Sequence, residues 1–206
     1  MTFYDRKILP RLIDFACGTD LFTNQRRKLI PSARGTVLEV GFGSGLNTRF
    51  YDPQRVHKLW DVEPSEKLRA LAQARMPAQM PIEFIGLSGE SIPLESGTVD
   101  TVVTTYTLCT IPDVRRALGE MRRVLKPGGK LLFAEHGRAP DAAVRRWQDR
   151  LDPLWKRVAG GCHLNRDIPL LIREAGFKMG KVEADYLSGP KLLTFNYLGS
   201  AEPAKG

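Results

Sequence analysis

"VLEVGFGSGLN", residues 37–47, sets three glycines on alternate positions directly behind a short apolar run. Val37, Leu38 and Val40 have the make-up of a buried strand, and Gly41, Gly43 and Gly45 strip the side chains from the turn that follows. A backbone bared at the end of a strand invites a flat or anionic ligand to lie against it. A dinucleotide-binding turn spaces its glycines GxGxxG, the last one allowing helix and strand to close under a pyrophosphate. Here position 46 is Leu46 and the third glycine falls one residue early, giving E-x-G-x-G-x-G from Glu39 to Gly45, the loop of a different ligand.

Outward from this loop the chain alternates β-rich and helical text, which predicts an α/β fold on a mainly parallel sheet. Strands are expected at "RVHKLWDVE" (55–63), "IEFIGLS" (82–88), "VDTVVTTYTL" (99–108) and "KLLFAEH" (130–136). Between them lie helical patterns: "PSEKLRALAQARM", with proline in its first turn, and "DVRRALGEMRRVL", with Asp113 as cap and "KPGG" as stop. The last third holds an amphipathic stretch, 141–161, interrupted by Pro153, and a short helix in "RDIPLLIREAGF". Two β-rich runs, "KMGKVEADYL" and "KLLTFNYLG", flank "SGP" as a terminal hairpin, and "SAEPAKG" (200–206) reads as frayed. The expectation is one domain over 1–206 with a Rossmann-like, seven-stranded sheet, an antiparallel hairpin strand and helices on both faces. Within it, 1–35 forms a helical cap, 36–136 the ligand-binding core, and 137–206 a lid segment and hairpin.

The 206 residues, 42% hydrophobic and 26% charged, suffice to bury about 70% of the unfolded surface in one core. No apolar run approaches the roughly 20 residues that span a bilayer, and "MTFYDRKILPRLIDF" is too charged for a signal peptide, so a cytoplasmic protein is expected. Cys17, Cys109 and Cys162 lie far apart without CxxC spacing, which argues for reduced thiols and against a metal site or disulfides. A charge of +8 and a pI near 9.6 suit an anionic partner. The basic residues are scattered and no nucleic-acid motif is present, so nucleic acid is disfavoured and contact with an anionic membrane face stays open.

The glycine loop, together with "DVEPSEKL" (61–68) and the run from "SGESIPLESGTVD" through "LKPGGKLLFAEH", resembles the class I S-adenosylmethionine-dependent methyltransferases over residues 36–136. The resemblance implies S-adenosylmethionine as cofactor and S-adenosylhomocysteine as product. It assigns Glu39 to the methionine end and Glu63 to the two ribose hydroxyls, with Asp61 a weaker candidate on the same strand face. Gly41, Gly43, Gly45, Asn47, Pro64, Thr105 and Tyr106 complete the cofactor set. Where relatives place an aspartate for the adenine amino group this chain has Ser88, Gly89 and Glu90, of which Glu90 is preferred. The end of the fourth strand, "EH" at 135–136 and "LDPLWKRVAGGCHLNRD" (151–167) are similar to the methyltransferase-like thiol methyltransferases. Those carry an N-terminal membrane anchor, whereas this chain begins almost at its first helix, and an anchor is not expected.

Methyl transfer is an in-line displacement, so alignment of donor and acceptor carries most of it, up to about 7–11 kcal/mol. A small methyl acceptor is implied, with a thiol ahead of an amine, a phospholipid or a quinone-type carbon; a cofactor-binding subunit without catalysis is the alternative from another class. Candidates for a catalytic role are His136, at the end of the fifth strand, His163 in "GGCHLNRD", and Tyr106, each of which could instead be structural. Cys109 reads as a small buried residue, His57 as structural, and Cys162 as more exposed. Trp147, Leu151, Leu154 and Trp155 recur at helical spacing among arginines, which fits a helix covering the sheet, a substrate lid, or a basic helix for anionic lipid. That segment and the N-terminal one are expected to meet above the methyl donor. The oligomeric state is left open.

Overall fold

Along β1 (Gly35–Val40) neighbouring side chains part to opposite faces of a sheet, Val37 into one buried apolar cluster and Leu38 into another. The same division recurs at Val102 and Val103 in β4 (Val99–Thr105) and at Leu131 and Leu132 in β5 (Leu125–His136). Strands apolar on both faces belong in the middle of a sheet covered by helices on both sides, the setting of parallel strands. This computed structural model describes residues 9–76 and 81–204.

Among the described residues the sheet has seven strands in the order β3-β2-β1-β4-β5-β7-β6. β2 (Val56–Val62) and β3 (Ile82–Ile85) run parallel to β1, as do β4 and β5. β7 (Phe195–Pro203) is antiparallel to β5 and also to β6 (Phe177–Tyr186), with which it forms the terminal hairpin. α1 (Leu9–Cys17) and α2 (Asp20–Leu29) precede β1, and Pro10 stands in the first turn of α1, where a missing N–H costs nothing. α3 (Glu66–Gln73) follows β2 and opens with Ser65 accepting from the Leu68 amide. α4 (Val114–Val124) is capped by Asp113 and buries Val114, Ala117, Leu118, Met121 and Val124, each large one contributing about 1.5–3 kcal/mol. α6 (Ile168–Glu174) packs Ile168 and Ile172 into the same cluster as α4, and the four-residue α7 (Lys191–Thr194) leads into β7.

Three expectations change. Residues 200–203 are not frayed: they extend β7, where Ser200 and Ala201 pair with Leu132 and Leu131 between two neighbouring strands. α5 (Ala142–Val158) runs through Pro153, which is exposed and cannot donate to the Asp149 carbonyl one turn earlier. Its apolar stripe is split, with Leu151 and Trp155 half-buried and Trp147 and Leu154 exposed. Gln148 and Asp152 are the buried pair, four residues apart, while Trp147, Leu154 and Val158 are 53%, 61% and 49% exposed. Gln148 bonds the Ala139 amide and the Gly137 and Leu192 carbonyls, and Asp152 accepts from the Leu164 amide, so polar anchoring sets the helix's rotation.

The strand order reverses between β1 and β4, and at such a switch point the connections leave a crevice beyond the carboxyl ends of the strands.

Candidate active site

The crevice is a cavity of about 540 Å³, and the loop that opened the sequence reading forms its floor. Gly41 has φ +77°, and a Cβ there would run into the Thr107 side chain, so the crossing of the β1 and β4 loops requires glycine. Gly43, at φ +60°, donates its N–H to Glu63 Oε2 at 3.0 Å. Gly45 is off the cavity wall; its α-carbon lies against Ala72 of α3, where a Cβ would come within 3.2 Å of the backbone.

Glu63, just after β2, is on the wall with Pro64. Its two oxygens accept from the Gly43 and Ser65 amides, and burial still pushes its pKa up against those two bonds. A carboxylate offers about four lone-pair sites, so two remain for a ligand's hydroxyls. Glu39 is not on the wall. It lies buried behind it, accepting from Tyr51 Oη at 2.6 Å and Asn47 Nδ2 at 2.7 Å, and burial raises it to about 7. Asn47 is the residue presented to the cavity; its amide also reaches Thr105 Oγ1, and its Oδ1 is buried without a hydrogen bond. Asp61, beside Glu39 across the β1–β2 pair, is fully buried with both oxygens unpartnered. Burial, then the charges of Glu39 and Glu63, push it up to about 8.

At the β3 end Ser88 and Gly89 line the cavity, and the preference for Glu90 is overturned. Glu90 turns away to accept from the Asp113 amide and the Ser88 hydroxyl. At the β4 end Thr105, Tyr106 and Thr107 are on the wall. Tyr106 holds φ +57°, a strained value for an aromatic residue, and donates its hydroxyl to Asn196 of β7. Burial raises the pKa of that phenol.

Both histidines lie off the cavity wall. His136 places Nε2 3.0 Å from Cys162 Sγ, and His163 places Nδ1 3.1 Å from Asp152 while its amide donates to the Cys109 carbonyl. Burial pulls His136 down, but Cys162 and Glu135 outweigh it and the net shift is upward. His163 shifts downward through burial and Arg166.

The N-terminal helices do reach over the cavity, but sequence reasoning named none of the residues they contribute. Asp14 and Cys17 of α1 and Arg26 of α2 line the cavity, Arg26 with its guanidinium 5.4 Å from the Tyr106 ring centroid. Arg26 is 4% exposed; one terminal nitrogen donates to the Cys17 carbonyl, and Nε has no partner. Asp14 is paired with Arg75, which holds it below the ordinary carboxylate range. From the α5 side only Gly160 reaches the wall. An isolated arginine in "NQRRKL" carries no signal that it, rather than Arg27, is the buried one.

The methyltransferase domain family matches residues 38–133. Thiol S-methyltransferase TMT1B of Rattus norvegicus is 37% identical over 72% of this chain and 62% of its own length. Thiol S-methyltransferase TMT1A of Homo sapiens is 34% identical over 83% of this chain and 70% of its own. The chain thus spans about three-fifths of the rat relative's length. A SAM-dependent methyltransferase of Leishmania major shares the fold at a TM-score of 0.71 and 19% identity, over 97% of this chain and 80% of that one.

Proposed function

This chain belongs to the S-adenosylmethionine-dependent methyltransferases, with S-adenosylmethionine as its methyl donor, and on that premise we propose that its acceptor is the thiol of a small lipophilic molecule. When bound, the donor supplies a methyl group on a sulfonium and leaves as S-adenosylhomocysteine. The residues present fit such a molecule. Glu63 keeps lone pairs for a vicinal diol, Ser88 and Gly89 would border the adenine, and Gly41 and Gly43 admit close backbone approach. At the opposite end Asn47 Oδ1 and Arg26 Nε, both buried without partners, would take the ammonium and carboxylate of the amino-acid end. Glu39 acts at one remove, holding Asn47 in place.

A thiol is favoured over an amine or a carbon acceptor by what the wall lacks. Among the described residues no histidine or lysine lines the cavity, the Tyr106 hydroxyl is committed to Asn196, and Asp14 is paired with Arg75. A thiol ionises near pH 8.5 without a strong base, whereas a carbon nucleophile needs one in a fixed pose. Thiolate and sulfonium lose charge as they react, and a wall of Val40, Phe42, Leu46, Val62, Leu68 and Ile111 favours that over water. The two relatives' names state thiol S-methylation and support the same reading.

The test is product analysis: purified protein with S-adenosylmethionine and a matched set of alkyl thiols, amines and hydroquinones. S-methyl products with equal release of S-adenosylhomocysteine are expected; turnover confined to amines or hydroquinones overturns the reading. A second reading, amine methylation of a phospholipid at an anionic surface, is favoured by the exposed Trp147, Leu154 and Val158 of α5 among Arg146, Arg150 and Arg157. Among the described residues no helix is long and apolar enough to cross a membrane.

A further inference from the structure

Two cysteines 53 residues apart and a histidine between them in sequence meet at one corner of the sheet. Cys109 stands in the turn after β4, where its Sγ contacts the Tyr106 carbonyl at 3.6 Å. His136 is the last residue of β5. Cys162 follows the Gly160–Gly161 turn that ends α5, and the His163 amide, donating to the Cys109 carbonyl at 2.8 Å, ties that turn to the β4 loop. Their Sγ, Nε2 and Sγ atoms lie within 4.8 Å of one another, with His136 and Cys162 at 3.0 Å. Separation in sequence does not keep them apart, because the β4 loop, the end of β5 and the turn after α5 deliver them to one point.

We propose that Cys109, His136 and Cys162 form a three-ligand site for a zinc-class divalent ion, with the fourth position open toward the methyl-donor cavity. Two thiolates and one imidazole are the donor set that selects a tetrahedral, thiophilic ion over magnesium or calcium. Tetrahedral bonds of about 2.3 Å to sulfur and 2.0–2.1 Å to nitrogen set the ligand atoms roughly 3.5–3.8 Å apart. His136 and Cys162 would separate by about half an ångström to meet that, and the remaining ligand distances, all within 4.8 Å, would close by no more than about 1.3 Å. Three protein ligands with one vacant position mark ions that bind an exogenous ligand, as opposed to closed structural sites. The cluster adjoins the cavity wall: Tyr106, Thr107, Thr110 and Gly160, which flank Cys109 and Cys162 in the chain, all line it. Cys17, the remaining cysteine, lines the same wall. A ligand in the fourth position would be an acceptor's sulfur, held as thiolate with its proton released to solvent. That last clause rests on the thiol reading above; the three-ligand site does not.

The experiment uses the full chain, prepared reduced and without chelator. Zinc content is measured, and cobalt(II) is titrated into the stripped protein to read the sulfur-to-cobalt charge-transfer band. About one zinc per chain and an intense tetrahedral cobalt spectrum are expected. Cys109→Ser, His136→Gln and Cys162→Ser should each lower cobalt affinity by at least about 100-fold, the upper end of what losing a mere supporting contact costs. Retained S-adenosylhomocysteine binding and an unchanged melting profile show that these variants are folded. A short alkane thiol added with S-adenosylhomocysteine should shift the cobalt band.

No zinc, no cobalt band and freely titrating thiols, or a Cys109–Cys162 disulfide in freshly prepared protein, overturn the site. If alkyl thiols are still methylated then, the acceptor reading survives it. A band abolished by Cys17→Ser, or one that thiols do not move, overturns the open position and leaves a closed site. If thiols in that case are also not methylated, it is the acceptor reading that has failed.

Discussion

The two ends of the cavity are built on opposite plans. At the β1–β2 end the groups come from two short stretches: Gly41 and Gly43 from one loop, Glu63 and Pro64 from the next, tied by the Gly41 amide on the Val62 carbonyl and the Gly43 amide on the Glu63 carboxylate. At the β4–β5 end the wall residues come from positions as distant as Cys17, Arg26, Tyr106, Thr110 and Gly160, and Tyr106 is itself held by a hydrogen bond that spans 90 positions, to Asn196. The donor has a fixed shape that a local motif can read. The other end depends on how α1, α2 and the turn after α5 fold back over the sheet, so its shape lies in long-range packing.

The sharpest way to break this contrast is Gly41→Ala, where the local end meets the distant one. The added Cβ collides with Thr107 and the residue must hold φ +77°. A stability loss of about 3 kcal/mol or more is expected, from strain together with overpacking, with cofactor binding lost as well. Thermal unfolding and calorimetry with S-adenosylhomocysteine read the two effects separately. If the variant melts within a degree of the wild type, the loops do not cross as described.

The local plan explains what was legible in the sequence. Apolar β-rich runs and glycine-proline punctuation marked a strand near each of the seven, although "KLLTFNYLG" opens with α7 before β7 begins, and E-x-G-x-G-x-G with "DVEPS" located the floor of the cavity. Glu39 and Glu90 were misplaced because a carboxylate's direction depends on partners: Tyr51 and Asn47 draw one inward, and the Asp113 amide draws the other away. Residues 200–203 looked frayed because their small and polar side chains carry no strand signal, yet their backbone is secured by neighbours on both sides. Periodicity left α5 as sheet cover, lid or lipid-facing helix, because it cannot show that Gln148 has three backbone partners waiting for it. The Cys–His–Cys corner had no sequence signal at all.

A second pair of variants separates the two ends by ligand chemistry. Glu63→Ala should weaken S-adenosylhomocysteine and methylthioadenosine equally, by about 1.5–3 kcal/mol, since both carry the ribose diol. Arg26→Gln should cost a similar amount with S-adenosylhomocysteine alone, because methylthioadenosine lacks the carboxylate. Equal losses with both ligands in Arg26→Gln would make Arg26 a packing residue under Tyr106 instead.

The carboxyl cluster beneath the floor predicts a pH dependence. Asp61 is raised to about 8 and Glu39 to about 7, while in the unfolded chain both titrate near pH 4. The native state therefore holds protons that the unfolded chain sheds, and their stabilising contribution is full below about pH 4 and lost as pH climbs through about 7–8. Melting temperature should fall across that climb, and Asp61→Asn should flatten it, gaining about 1–3 kcal/mol at the alkaline end and nothing at the acidic end. A climb that Asp61→Asn leaves unchanged assigns the protons elsewhere, with Glu135, raised to about 7 by burial, the next group to replace.

The smallest effect concerns α5, the distant end's outermost element. Its inward face is secured by Gln148 and Asp152, so the outward Trp147 and Leu154 contribute little to the fold, and replacing both with serine should change stability by no more than about 0.5 kcal/mol per site. Turnover of a water-soluble thiol should also be unchanged, because neither residue lines the cavity. Sedimentation with anionic vesicles should drop in the double variant, and raising the salt should weaken the wild type's binding through Arg146, Arg150 and Arg157. If the wild type ignores vesicles at every salt concentration, the exposed stripe does not serve a lipid surface, and the acceptor must then reach the cavity from solution.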